Sequence, residues 1–197
     1  LCLVRVLRGS LMQALGPTLL QLARASIHAA LGQPLAVSAA IDHPQLVQPG
    51  ATFVTLTQSG ELRGCIGSLE AWRPLLQDVQ ANAVAAALPD PRFAPLTPEE
   101  LGATRVEVSL LSAPQPLGFT DAADALAQLR PGIDGVILED RGRRATFLPQ
   151  VWEQLPQAEV FMAHLKRKAG LPADYWSESL HLSRYTVQKW QETGAEQ

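Results

Sequence analysis

Two runs of alternating side chains bracket a short turn, and they constrain the chain more tightly than any other feature. Gly50-Ala51-Thr52-Phe53-Val54-Thr55-Leu56-Thr57 alternates polar and apolar residues with β-branched content, so it reads as a strand. Gln58-Ser59-Gly60 supplies turn chemistry, and Glu61–Gly67 continues as a second strand. The spacing predicts an antiparallel hairpin, with residues 52–57 against 61–67. In extended chain, alternate residues share a face. Leu62 and Ile66 are therefore expected to enter a core, with Gly64 between them. Arg63, Cys65 and Gly67 are expected on the opposite side. A guanidinium beside a thiol favours the thiolate. The glycines leave backbone that another element or a ligand can approach closely.

The remaining elements follow from periodicity and punctuation. Gly16-Pro17 precedes an amphipathic helix over Thr18–Leu31, stopped by Gly32. Pro34–Pro49 reads as irregular, with His43-Pro44 in a turn. Arg73-Pro74 opens a helix over Leu75–Leu88, whose alanines allow close approach of another element. Asn82 is a polar residue among small ones on that helix, facing solvent or donating into a cleft. Asp90–Thr97 is a loop stiffened by two prolines, followed by an N-cap signal at Thr97-Pro98-Glu99-Glu100. Arg105–Ser112 reads as a strand and Ala122–Leu129 as a short helix. Val136–Asp140 and Ala145–Leu148 form a second predicted hairpin. Helices are expected from Pro149 to Pro156 and over Val160–Ala169, and one closing strand over Leu180–Trp190. Leu1–Leu11 is expected to be a disordered extension, residues 12–192 the domain proper, and residues 193–197 a frayed tail.

Composition narrows the function classes. Hydrophobic residues make up 47% of the 197, enough for a packed interior. A net charge of −3 provides no basic field for nucleic acid. No apolar run approaches the roughly 20 residues a bilayer requires. The only cysteines are Cys2 and Cys65, with no framework spacing, and a reducing cytoplasm is the expected compartment. No histidine pair or cysteine cluster has metal-ligand spacing, so neither metal nor other cofactor is expected.

Leu62-Arg63-Gly64-Cys65-Ile66-Gly67 resembles the signature of the AMMECR1 domain family, whose prokaryotic members are often called AmmeMemoRadiSam system protein A. Asn82-Ala83 with Asp90–Thr97 is similar to a second family motif. Pro131–Val136, Ala145–Val151 and Lys168–Leu171 look like further ones, so the resemblance covers about residues 16–190. It implies an α+β fold of two lobes, each built on a mainly antiparallel sheet with flanking helices, and a cysteine motif facing the groove between them. It also implies a MEMO-like protein and a radical-SAM protein as companions. It implies no settled activity.

Two kinds of chemistry remain open. In a cysteine-dependent enzyme acting on a small molecule or modified protein, Cys65 is the nucleophile. Arg63 holds its thiolate, and N–H groups from Gly64 to Gly67 face an oxyanion. No spacing singles out a base among His43, His164, His181, Glu61, Glu70 and Glu107. In a binding or assembly protein, the candidate contact residues are Leu62, Gly64, Ile66, Gly67, Asn82, Asp90, Arg92 and Phe93, and the ligand is a small molecule or peptide. Asp90 and Arg92 form a structural pair, or Arg92 serves as an anion site.

Overall fold

The computed structural model describes the backbone of residues 2–35 and 43–193, and the side chains of 15–35 and 43–193. The irregular stretch expected over Pro34–Pro49 falls partly, at 36–42, outside the described residues, as does the fraying expected at 194–197. The chain divides into two compact units, one running through Leu111 and resuming at Gln188, the other spanning Ser112–Val187. Each holds a four-stranded sheet, and helices accompany both, so the architecture is α+β.

The first unit opens with helix α1, Cys2–Ala30. Backbone is thus helical through residues 2–11, where the sequence predicts a disordered extension. That stretch is rich in Leu, Val and Arg, and the helix continues past the proline at 17, which lies inside it. Strands β1 (Ala51–Gln58) and β2 (Glu61–Gly67) form the predicted hairpin, turning through Ser59 and Gly60 at positive φ. Helix α2 (Leu75–Ala87) and strand β3 (Thr104–Leu111) follow.

The core explains this arrangement. Leu19, Leu22 and Ile27 of α1 and Val79, Ala83 and Ala86 of α2 pack with Val54, Leu56, Val106 and Val108 of the sheet. Both helices therefore cover the same face, the one to which alternate residues of β1 and β3 point. Burying such a Leu or Val side chain contributes about 1.5–3 kcal/mol.

In the second unit, strands β4 (Gln115–Pro116), β5 (Gly135–Asp140), β6 (Arg143–Phe147) and β7 (His181–Tyr185) make a sheet in the order β4-β7-β5-β6. Its helices are α3 (Ala122–Gln128) and α4 (Ala158–Lys168). Phe161 of α4 stacks on Trp152 at 3.8 Å, over Val136, Leu138 and Leu182. The helix expected from Pro149 to Pro156 is only a 3-10 turn over Pro149–Glu153, since helix geometry is not resumed before Pro156. The single closing strand is in fact two. β7 completes the second sheet, and β8 (Val187–Gln191) joins the first, in the order β2-β1-β3-β8.

Candidate functional site

The cysteine strand is not regular. Val54 pairs with Ile66, Thr55 with Cys65 and Leu56 with Gly64, but Thr57 pairs with Leu62. Arg63 is the extra residue of a β-bulge. Beyond it the face alternation slips by one. Leu62 joins the side of Thr57 instead of Leu56 and is 45% exposed, which overturns the expectation that it enters the core. Ile66 and Gly64 keep the core side. Ile66 packs against the cluster, and Gly64 lies against the Ala86 carbonyl of α2. Cys65 shares the other face with Thr55, whose Oγ1 is 3.3 Å from its Sγ.

β2 is an edge strand, so alternate backbone groups point off the sheet. At Cys65 they are met by the loop after α2. Asp90 Oδ2 accepts the Cys65 N–H at 3.0 Å, and Arg92 Nη2 donates to the Cys65 carbonyl at 2.7 Å. Asp90 and Arg92 are themselves joined twice, Nε to Oδ1 at 3.0 Å and Nη2 to Oδ2 at 2.8 Å. Together the two side chains satisfy the donor and acceptor that a neighbouring strand would otherwise take. The Asp90 carboxylate, 2% exposed, also accepts the Arg92 N–H. The Arg92 guanidinium holds its pKa well below the usual carboxylate range, with help from the Cys65 and Arg92 amides and against the opposing effect of burial. Arg92 is raised in turn, chiefly by its bonds to Asp90.

Arg63 has different partners. Its Nε and Nη2 hold the Glu100 carboxylate at 2.9 and 3.0 Å, and Nη1 donates to the Ala94 carbonyl at 2.9 Å. Glu100 also accepts the Thr97 N–H, which turns the N-cap signal of the sequence into a capping box. These bonds push its pKa down to about 2, the Arg63 interaction being the largest cause. The guanidinium bordering Cys65 is therefore that of Arg92, while Arg63 fastens β2 to the loop at 94–100. Phe93 lies beside Arg92, with its ring centre 5.5 Å from the guanidinium carbon.

Three of the four expected oxyanion donors, at Gly64, Cys65 and Ile66, are committed as well. The Cys65 amide serves Asp90, and strand alternation turns the Gly64 and Ile66 amides toward β1. A Cβ at Gly67 would fall 2.2 Å from the Phe53 ring, so this glycine makes room for an aromatic side chain. His43 Nδ1 accepts the Gln45 N–H and caps a 3-10 turn over Pro44–Val47. His164 and His181 belong to the second unit. Glu107 sits across from Thr55 in the register, 3.8 Å from Lys189.

Asn82 is 4% exposed and faces inward. Its Nδ2 lies 3.0 Å from both the Thr52 carbonyl and Asp78 Oδ2. Asp78 accepts the Thr52 N–H and hydroxyl, the Ser68 hydroxyl and Arg73 Nε. This network ties α2 to β1. Sequence reasoning missed it, although a carboxylate in the first turn of α2 beside Arg73 and Asn82 was a visible signal. Among the described residues, no group of three or more His, Cys, Asp or Glu is placed to hold a metal ion. No helix there is long and apolar enough to cross a membrane.

The AMMECR1 family model matches residues 20–190, which contain the hairpin, the loop at 90–100 and both sheets. The chain belongs to the AMMECR1 family. An AMMECR1-family relative from Methanothermobacter thermautotrophicus is 38% identical over 186 residues, covering 91% of this chain and 95% of its own. One from Thermotoga maritima is 37% identical over 140 residues, 70% of this chain and 75% of the relative. The crystal structure of an uncharacterized Pyrococcus horikoshii protein matches with a TM-score of 0.73 at 32% identity, covering 90% of this chain and 91% of that one.

Proposed function

We propose that this AMMECR1-family protein is a non-catalytic binding or assembly protein, working with the MEMO-like and radical-SAM companions that its family resemblance implies. One observation supports this reading above the rest: the Asp90–Arg92 pair consumes the N–H and C=O of Cys65. An acyl-transfer site keeps its nucleophile's amide and neighbouring N–H groups aimed at a developing charge. Here the Cys65 amide holds the edge strand in place, and Arg63 is spent on Glu100.

A cysteine-dependent enzyme is the second reading. It is favoured by the Thr55 hydroxyl on Sγ and by the Arg92 guanidinium on the carbonyl of the same cysteine. Cys65→Ser separates the two. The binding reading expects the variant to retain cellular activity and to co-purify with its MEMO-like companion as the wild type does. Loss of activity in a variant of unchanged stability and unchanged complex formation would sink it.

A further inference from the structure

The Asp90–Arg92 pair has an inner and an outer side, and they differ chemically. Four N–H groups converge on the Asp90 carboxylate, from the Cys65 amide, the Arg92 amide, Arg92 Nε and Arg92 Nη2. That saturates its lone pairs on the buried side. A guanidinium carries five N–H donors. Nε and Nη2 spend three on Asp90 and the Cys65 carbonyl, and Nη1 has no hydrogen-bond partner among the described residues. The Arg92 side chain is 52% exposed, although its position is fixed on two sides. Arg63, by contrast, uses all three of its nitrogens internally.

We propose that Arg92 is the anion-recognition group of this protein, receiving a carboxylate or phosphate carried by its ligand on Nη1. The inference rests on the binding reading above and names the chemistry of the ligand. Preorganisation is the main argument. A guanidinium already held in place loses little side-chain freedom when it binds. Asp90 cancels its net charge at a distance, so recognition is short-ranged and directional. The guanidinium donates to the Cys65 carbonyl at 2.7 Å, and the thiol of that residue lies 3.3 Å from the Thr55 hydroxyl, as further polar groups for a second oxygen.

The test is an NMR titration of the full chain carrying 15N-arginine, with inorganic phosphate and with succinate, at ionic strength held constant by sodium chloride. The expected result is a saturating shift of the Arg92 guanidinium signals with at least one probe. A stronger response to phosphate assigns a phosphorylated ligand, and a stronger response to succinate a carboxylate one. Arg92→Lys keeps the charge but loses the fork, and it should weaken that probe roughly tenfold or more, the worth of a charge-assisted hydrogen bond. Arg92 signals that follow the chloride control would overturn the proposal on the wild-type protein alone, whether or not the variant folds. So would unchanged probe affinity in a folded Arg92→Lys protein. Either failure leaves the Cys65→Ser comparison intact, so the binding reading is judged separately.

Discussion

Gly64 of β2 lies directly against the Ala86 carbonyl of α2: a Cβ at residue 64 would stand 2.1 Å from that oxygen. The obstacle is backbone within a helix, which cannot swing aside as a side chain can. Gly64→Ala must push α2 off the sheet or bend β2. The expected loss is about 2–3 kcal/mol, the upper range for overpacking a well-filled core. Urea unfolding checks it, as a lowered midpoint at constant m. An unchanged midpoint would mean that helix and strand are farther apart.

The bulge at Arg63 makes opposite forecasts for two similar residues. Leu62 sits outside and Ile66 packs against the core. Leu62→Ser should therefore change stability by less than about 0.5 kcal/mol, as surface substitutions do. Ile66→Ser should cost about 2 kcal/mol from lost apolar burial and a hydroxyl placed among hydrocarbon. A regular strand would bury both side chains, and the same unfolding experiment would then show two comparable losses.

Glu100 gives a pH dependence whose sign follows from its depressed pKa, about 2 against an ordinary 4.5. Between those values the unfolded chain binds the proton and the native one does not. Glu100 therefore stabilises the fold fully above about pH 4.5, and this contribution fades as pH falls toward 2. Glu100→Gln should lower stability at pH 7 and flatten the loss between pH 4.5 and 2. Denaturant midpoints measured across that window decide it. Parallel curves for the two proteins would show that the Arg63 pairing does not shift the carboxyl.

Much of the fold was legible because it is written locally. Alternation around Gln58-Ser59-Gly60 specified the β1–β2 hairpin, and the run of alanines with Arg73-Pro74 ahead of it specified α2. The N-cap signal at Thr97 became a capping box. The lone thiol among glycines directed attention to β2. The details that give the site its chemistry were not local. Whether Leu62 or Gly64 faces the core depends on the partner each finds on β1, and one extra residue in the ladder reverses the answer. The closing run splits between two sheets for a similar reason, since either half would pair equally well by its own pattern.

By itself the sequence determined α2, α3 and α4, most of the strands, the turn and the presence of Arg63 and Arg92 on either side of α2. Only tertiary structure decided which guanidinium meets Cys65. Arg92 is 27 residues away and reaches the Cys65 carbonyl because the loop folds back along an edge strand, whereas Arg63, two positions from the thiol, is drawn to Glu100. The physical reason is that periodicity is set by neighbouring dihedral angles. The pairing of charges is set instead by which buried carboxylate and which unpaired strand edge the folded chain brings within hydrogen-bonding distance.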